Sequence, residues 1–459
     1  IRQSHLAEKE HGNITQKIGA YEVKTGIKGY KTDRITFIDT PGHEAFSKLR
    51  ARGANVADLA ILLIDGKDSV MPQTVESIAH IKAAKIPYLV AINKIDLPEA
   101  NPEKVKNDLI KYEVLVEEKG GSIPTVLLSA KTGKGVKEFL ETILLLAADL
   151  NLQYNPHHPP QAYIIETKKD KRGIVATTII KDGTLKIGDV VYADEEKLKI
   201  KAMINDQGIV LNQVLPSTPF ELLGFKRIPE VGALIQNQPS QKKKKNHLFL
   251  SYKKEVDMKS LSSSVSSEKK LSLIIKADSV GSLEAIDLLL EKNNKIETIL
   301  KAVGDINQSD VFLAKTTKSI IIGFSINPPS EVFALAKQEK VIIKTYNIIY
   351  ELEKELNEAT KLLIEKEEKE KNLKGEAKIL AAFIIEKEPV FGVEVVKGKI
   401  NLGDELEAYR DNKFIGKTKL VSLKIRAKSV EEVKKGQEAG MIFSPSLDIR
   451  VGDVVKSIL

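Results

Sequence analysis

Over the first third of the chain, short apolar runs alternate with amphipathic stretches. Ile35–Ile38, Leu59–Ile64, Tyr88–Ile92 and Thr125–Leu128 are rich in strand formers, as expected of buried parallel strands. The stretches between them carry a helical period. In the last of these, Val136 to Leu150, the residues Val136, Phe139, Leu140, Ile143 and Leu144 share one face. Asn155 to Pro160, NPHHPP, breaks the pattern and predicts a boundary. Beyond it, Gly173–Ile180, Gly183–Tyr192 and Lys197–Ile204 read as short strands with glycine turns, a small β-barrel ending near Asn237.

Strand and helix signals alternate again from Leu271. Strands are predicted at Leu271–Lys276, Thr298–Val303, Ser319–Ile326 and Val341–Thr345, and helices at Ser282–Leu290 and Ser309–Ala314. Residues 347–372 form a charged helical stretch with many Glu/Lys pairs three or four apart, about 39 Å long at about 1.5 Å per residue. The tail from Gly375 is strand-rich. The resulting fold class is multidomain α/β plus β: an α/β domain at 1–153, a β-barrel at 154–239, a linker at 240–270, a second α/β domain at 271–346, a long connecting helix at 347–373 and a C-terminal β-barrel at 374–459. Gly183-Thr-Leu-Lys-Ile-Gly-Asp189 and Gly398-Lys-Ile-Asn-Leu-Gly-Asp404 repeat one pattern, which predicts a shared barrel architecture; two unrelated strand–turn units are the alternative.

Composition changes this picture in a few places. The 459 residues are 42% hydrophobic and 29% charged, with a net charge of +8. The excess is uneven: from Lys242 to Lys270 nine lysines face Glu255, Asp257 and Glu268. Such a stretch either attracts polyanions such as RNA or is a solvated linker. The chain has no cysteine, which excludes disulfides and thiolate metal sites and fits a reducing compartment. No apolar run reaches membrane-spanning length, and residues 1–13 lack a signal-peptide core. Heavy use of Lys, Ile and Asn suggests an AT-rich genome, from a reduced bacterium or an organelle.

The candidate chemistry begins where the first apolar run ends, in Asp39-Thr-Pro-Gly-His43. An acid at the carboxyl end of such a strand sits where α/β sheets bind ligands. Asp39 can reach a Mg²⁺-bound water, the Gly42 N–H can approach a terminal phosphate, Pro41 stiffens the turn, and His43 can lie beside an attacking water. Asn93-Lys-Ile-Asp96 ends the strand YLVAI. Asp96 can accept two hydrogen bonds from the N1–H and 2-amino edge of guanine, Asn93 can reach the purine, and the Lys94 stem can cover the base. Adenine lacks the 2-amino donor, so a buried carboxylate selects against it. Ser129-Ala130-Lys131 follows the strand TVLL and can contact the guanine oxygen, mainly through its backbone. Upstream, Thr15 of GNIT can bind Mg²⁺ through its hydroxyl and close over the γ-phosphate.

With these motifs in this order, the chain resembles a translational GTPase and, more narrowly, bacterial-type translation initiation factor two. The resemblance is carried by GNITQKIGAYEV (12–23), ITFIDTPGHEAFSKLRARGA (35–54), DSVMPQTVESIAH (68–80), VAINKIDLPEANPEKV (90–105) and LSAKTGKGV (128–136), and continues in DGTLKIGDVVYA, IIKADSVGSLEAI and YNIIYELEKEL. It implies a P-loop GTPase-like domain, GTP and Mg²⁺, with His43 positioning water. It also implies ribosome-stimulated GTP hydrolysis coupled to placing formyl-methionyl initiator tRNA on the small ribosomal subunit and to joining of the large one. The expected protein is a cytoplasmic monomer; a plastid or mitochondrial setting fits too. In the family, the C-terminal barrel holds the tRNA end. Here its Glu-Cys-Gly element reads Glu438-Ala439-Gly440, and the basic-aromatic stretch before it keeps Lys424 and Arg426 but not the aromatic.

The chain lacks the phosphate cradle Gly-x-x-x-x-Gly-Lys-Ser/Thr. In the family that loop precedes the position of Ile1, and Ile1-Arg2 resemble the end of the helix after it. The sequence is therefore expected to begin partway through a gene product. The alternative is a chain that starts here, a ribosome- and tRNA-binding protein without the enzymatic step unless another polypeptide supplies the loop. The strand feeding the loop is central in this fold, so its absence predicts a slot in the sheet. Gly-Gly-Ile-Thr of the family reads Gly12-Asn13-Ile14-Thr15, a change the turn tolerates because Asn accepts positive φ.

Overall fold

The computed structural model describes residues 14–239, 270–385, 388–411, 413–426 and 428–458. Ile1-Arg2, Gly12, Asn13 and almost all of the basic stretch 240–270 lie outside the described residues. The chain divides into two compact units, Ile1–Glu355 and Leu356–Leu459.

In the first unit, β3 (Ala60–Asp65), β4 (Tyr88–Asn93) and β5 (Thr125–Leu127) form a parallel sheet in the order β3-β4-β5. β4 reads Leu89-Val90-Ala91-Ile92, all fully buried, because helices cover both faces. Val90 and Ile92 pack with Ile78 and Ile81 of α2 (Pro72–Ala84) and Val105 and Leu109 of α3 (Pro102–Ile110). Leu89 and Ala91 pack with Phe139, Leu140 and Ile143 of α4 (Val136–Asp149). Each large side chain so buried contributes about 1.5–3 kcal/mol.

The first predicted strand differs from its reading. β2 (Arg34–Asp39) is antiparallel, not parallel, and pairs with β1 (Gly19–Lys24) in a separate two-stranded sheet. An apolar run reports burial, not strand direction. β2 and β3 are not hydrogen-bonded to each other, and Leu63 on β3 is 59% exposed. α1 (Ser47–Val56) leads from β2 to β3.

The barrel-like part that follows is a seven-stranded sheet with a two-stranded one of Leu185–Lys186 and Gln213–Val214 beside it. Its order is Glu196–Lys199, Val190–Ala193, Leu234–Gln236, Gln161–Asp170, Gly173–Asp182, Pro219–Leu223, Ala202–Ile204. Its two edge strands are joined by residues 200 and 201 alone, so the sheet curls back on itself around Ile164, Ile180, Phe220 and Leu222. The next α/β part is a parallel sheet ordered Ile296–Val303, Leu271–Ala277, Ile320–Phe324, Ile343–Tyr346, flanked by α5 (Val280–Glu291), α6 (Gln308–Thr317) and α7 (Ser330–Gln338). α7 was not predicted.

These parts of the first unit are tied by buried charge. Arg52 on α1 donates to Glu284 on α5 at 2.8 Å and to the Ile165 carbonyl at 3.2 Å. Beside them Glu166 is buried and accepts from the Thr167 and Gly281 N–H groups at 2.7 and 3.2 Å. Burial pushes its carboxyl up to about 7, against the pull of Arg52.

The long helix α8 (Ile349–Lys371) runs from the first unit into the second. In the second unit six strands close a ring: Leu373–Ile385, Val454–Ile458, Glu405–Arg410, Lys413–Ile425, Glu438–Ser444, Glu388–Asn401, and back to the first. The sequence repeat marks the same turn in both β parts. Asp189 Oδ2 accepts from Lys186 N at 2.8 Å and Asp404 Oδ2 from Asn401 N at 2.9 Å. The preceding glycines, Gly188 and Gly403, have φ of 92° and 90°, a conformation other residues rarely adopt.

Candidate functional site

The chain leaves β4 at Asn93 and turns through Lys94, whose φ of 63° is in the left-handed region. That geometry costs a branched or long side chain about 1 kcal/mol. It is held by neighbours. Lys94 Nζ pairs with Asp65 Oδ2, at the tip of β3, at 2.6 Å. Gly66 N donates to Asn93 O at 2.9 Å, and a Cβ at Gly66 would lie 2.9 Å from that oxygen, so a side chain there does not fit. Asn93 Oδ1 accepts from Ala130 N at 2.9 Å, and Asp96 Oδ1 accepts from Ser129 Oγ at 2.7 Å. Ser129 is fully buried, and its hydroxyl also accepts from Thr132 N at 3.1 Å.

Asn93, Lys94, Asp96, Leu97, Ala130 and Lys131 line a cavity of ≈ 250 Å³. Ser129 braces it from below. Two separate motifs, at 93–96 and 129–131, thus meet around one opening. One expectation is corrected: Asp96 is exposed, not buried. The Ser129 hydroxyl holds its carboxyl below the usual range, so it is an ionised acceptor. Asp65, which fixes Lys94, was missed by the sequence reading; an acid closing the strand AILLID was the signal.

Thr15, Asp39, Gly42 and His43 do not line this cavity. Asp39 ends β2 and is exposed; crowding by its neighbours still raises its carboxyl from the usual range, against a backbone hydrogen bond from Thr40. Among the described residues no cluster of three His, Cys, Asp or Glu side chains could hold a metal. Gly42 is exposed, and a Cβ added to it would meet nothing within 4 Å, leaving room for an anion at its N–H. Thr15 is half-buried.

The loop at 41–43 is fixed by Arg50 on α1, also missed by the sequence reading. Its Nη1 donates to the Pro41 and His43 carbonyls at 2.8 and 2.6 Å, and Nη2 to Glu76 Oε1 at 2.7 Å. His43 Nδ1 accepts from Ala45 N at 2.9 Å. Burial lowers its pKa below the ordinary histidine value, Glu353 and Glu44 opposing.

In the second unit Lys424 and Gly440 are cross-strand partners, and Lys424, Arg426 and Glu438 are exposed. Ala439 differs from expectation. It is 7% exposed and packs in the ring's core with Val393 and Met441, so its methyl group is not at a ligand-facing surface. Alternation along the strand puts it inside while its neighbours point out.

Comparison with known proteins follows the same division of the chain. Residues 3–149 match the family of the elongation factor Tu GTP binding domain, residues 159–237 that of elongation factor G domain 2, and residues 249–357 that of translation-initiation factor 2. Translation initiation factor IF-2 of Halothermothrix orenii is 40% identical over 100% of this chain and 68% of its own length. The proteins of the same name from Nitrobacter winogradskyi and Syntrophomonas wolfei are 42% and 39% identical over 99% and 100% of this chain, and over 54% and 53% of theirs. The chain thus spans between about half and two thirds of these relatives. Among solved structures, GDP-bound aIF5B from Aeropyrum pernix shares 23% identity at a TM-score of 0.46, covering 99% of this chain and 88% of that one. With 40% identity sustained over its full length, the chain belongs to the translation initiation factor IF-2 family.

Proposed function

We propose that the chain is the GTP-handling and tRNA-handling part of an initiation factor. It uses GTP to promote formyl-methionyl initiator tRNA binding to the small ribosomal subunit and subunit joining, and hydrolyses GTP when the ribosome stimulates it. The observation that carries this is the meeting of Asn93, Asp96, Ala130 and Lys131 around one cavity, with Ser129 and Asp65 bracing it.

Each residue has a role in this reading. Asp96 accepts from the guanine N1–H and 2-amino group, Asn93 and the backbone of 129–131 address the purine, and the Lys94 stem covers the ring. At the other end Thr15 and Asp39 hold Mg²⁺, the latter through water, and the Gly42 N–H meets the γ-phosphate. Mg²⁺ neutralises charge on the phosphates when bound. His43 positions the attacking water, so the reaction is phosphoryl transfer to water, driven by placement and charge stabilisation. Lys424, Arg426, Glu438 and Gly440 form the tRNA-facing part of the second unit, where exposed cations meet phosphates. Ribosome and tRNA are the partners, the protein acts as a cytoplasmic monomer, and the domain limits are those drawn from the sequence.

The test is GTP-dependent retention of formyl-methionyl initiator tRNA on small subunits by the full-length protein. The reading expects retention with GTP and its loss with GDP. Equal retention with both, and no ribosome-stimulated hydrolysis, would leave an RNA-binding protein without the enzymatic step.

A further inference from the structure

The segments around Thr15 and His43 lie far apart in sequence from residues 347–353, yet that one stretch holds both. Gln16, next to Thr15, is 8% exposed. Its carboxamide bridges the entry to α8: Nε2 donates to Asn347 O at 2.8 Å, and Oε1 accepts from Ile349 N at 3.0 Å. A helix's first N–H groups have no partner within the helix, and here one is satisfied by a side chain from a distant segment. One residue on, the Tyr350 ring stands edge-on to the His43 imidazole, centroids 4.3 Å apart and planes at 68°. Glu353, a turn further along, acts on His43 electrostatically from the same helix, joined by Glu44, Arg50 and Lys292 from the other elements around the ring.

The hydrogen bonds fix what His43 can do in this position. Ala45 N–H is a donor, so Nδ1 must be the acceptor and is already engaged. The ring is then neutral, with its hydrogen on Nε2. Neither nitrogen is left to accept a hydrogen bond from water. A histidine that orients a nucleophilic water needs such an acceptor.

We propose that the start of α8 is a clamp on both segments, and that Tyr350 is a positioning residue that holds His43 in this non-accepting orientation until residues 347–353 let go. This rests on the reading of His43 as the water-positioning residue. It ties hydrolysis to the helix that leads into the C-terminal ring, so that a pull on α8 releases the histidine.

Tyr350 is 49% exposed, so its truncation leaves the core intact. The test compares the full-length protein with Tyr350→Ala, Tyr350→Phe and the double variant Tyr350→Ala/His43→Ala. The first readout is the NMR titration of the His43 ring, which needs no nucleotide. Its midpoint should rise towards the ordinary histidine value in Tyr350→Ala and stay put in Tyr350→Phe. The second is ribosome-free GTP hydrolysis, expected to rise roughly tenfold in Tyr350→Ala, to stay at the wild-type rate in Tyr350→Phe, and not to rise in the double variant. An unmoved His43 titration in Tyr350→Ala overturns the clamp whatever hydrolysis does. A moved titration with an unchanged basal rate, in a protein whose ribosome-stimulated hydrolysis does need His43, overturns the positioning role alone. A wild type with no His43-dependent hydrolysis even on ribosomes overturns the functional reading first, and the positioning role with it.

Discussion

The two ends of the candidate site are held in opposite ways. At the proposed purine end every brace is local: Asp96 and Ser129 are 33 positions apart, Asn93 and Ala130 37, and all sit at the tips of adjacent parallel strands. At the phosphate end the braces come from elsewhere. Gln16 is tied to residues 331 and 333 positions away, and the His43 ring rests on Tyr350. Strands β3, β4 and β5 lie in one sheet, β4 pairing with both others, whereas β2 has no hydrogen bonds to that sheet. On the proposed reading, such a site would recognise its base with a preformed surface and leave the catalytic end to be set by other parts of the molecule. Switch segments of nucleotide-dependent proteins behave so, ordering and releasing with the nucleotide state.

The largest expected effect falls on the conditional end. His43→Ala in the full-length protein should slow ribosome-stimulated hydrolysis by about 10²-fold or more while nucleotide affinity changes little, as single-turnover rates and equilibrium titration would show. Equal losses in both would erase the difference between the two ends. At the preformed end, Ser129→Ala removes the hydroxyl bracing Asp96 and should weaken GDP binding by about tenfold, with hydrolysis of bound GTP unaffected. A loss in hydrolysis alone would put Ser129 at the wrong end.

The smallest effect lies outside both ends, in the buried charge group shared by α1, α5 and the strand Gln161–Asp170. Glu166 has a folded-state pKa of about 7 against an ordinary 4.5. Below about 4.5 the carboxyl is neutral in both folded and unfolded chains. Between about 4.5 and 7 only the unfolded chain releases the proton, so stability from this residue falls as pH rises and levels off above about 7. Glu166→Gln should remove that slope in chemical denaturation across pH 5 to 8, leaving nucleotide affinity unchanged. A slope that survives the substitution assigns it to other groups.

Much of the preformed end was legible in the sequence, because its chemistry sits in short motifs on buried strands whose order the apolar pattern gives away. Asn93, Asp96 and Ser129 needed nothing more. Arg50, Gln16 and Tyr350 act through contacts made only on folding, so their spacing carries no mark, whereas Asp65 is marked by closing the apolar strand AILLID. The direction of β2 was misread because an apolar run looks the same in either orientation. α7 was overlooked although Val332, Leu335 and Ala336 recur at helical spacing after Pro328-Pro329. Ala439, matched to a tRNA-holding element by resemblance, lies in the core because of strand alternation.

The most direct measurement is a calorimetric titration of the full-length protein and its Asp96→Asn variant with GDP, XDP and ADP. The wild type should prefer GDP over ADP and XDP by about 100-fold or more, and the variant should prefer XDP, whose 2-oxo group accepts from the new amide. A variant that keeps the wild-type preference for GDP would contradict the assignment of this cleft to guanine.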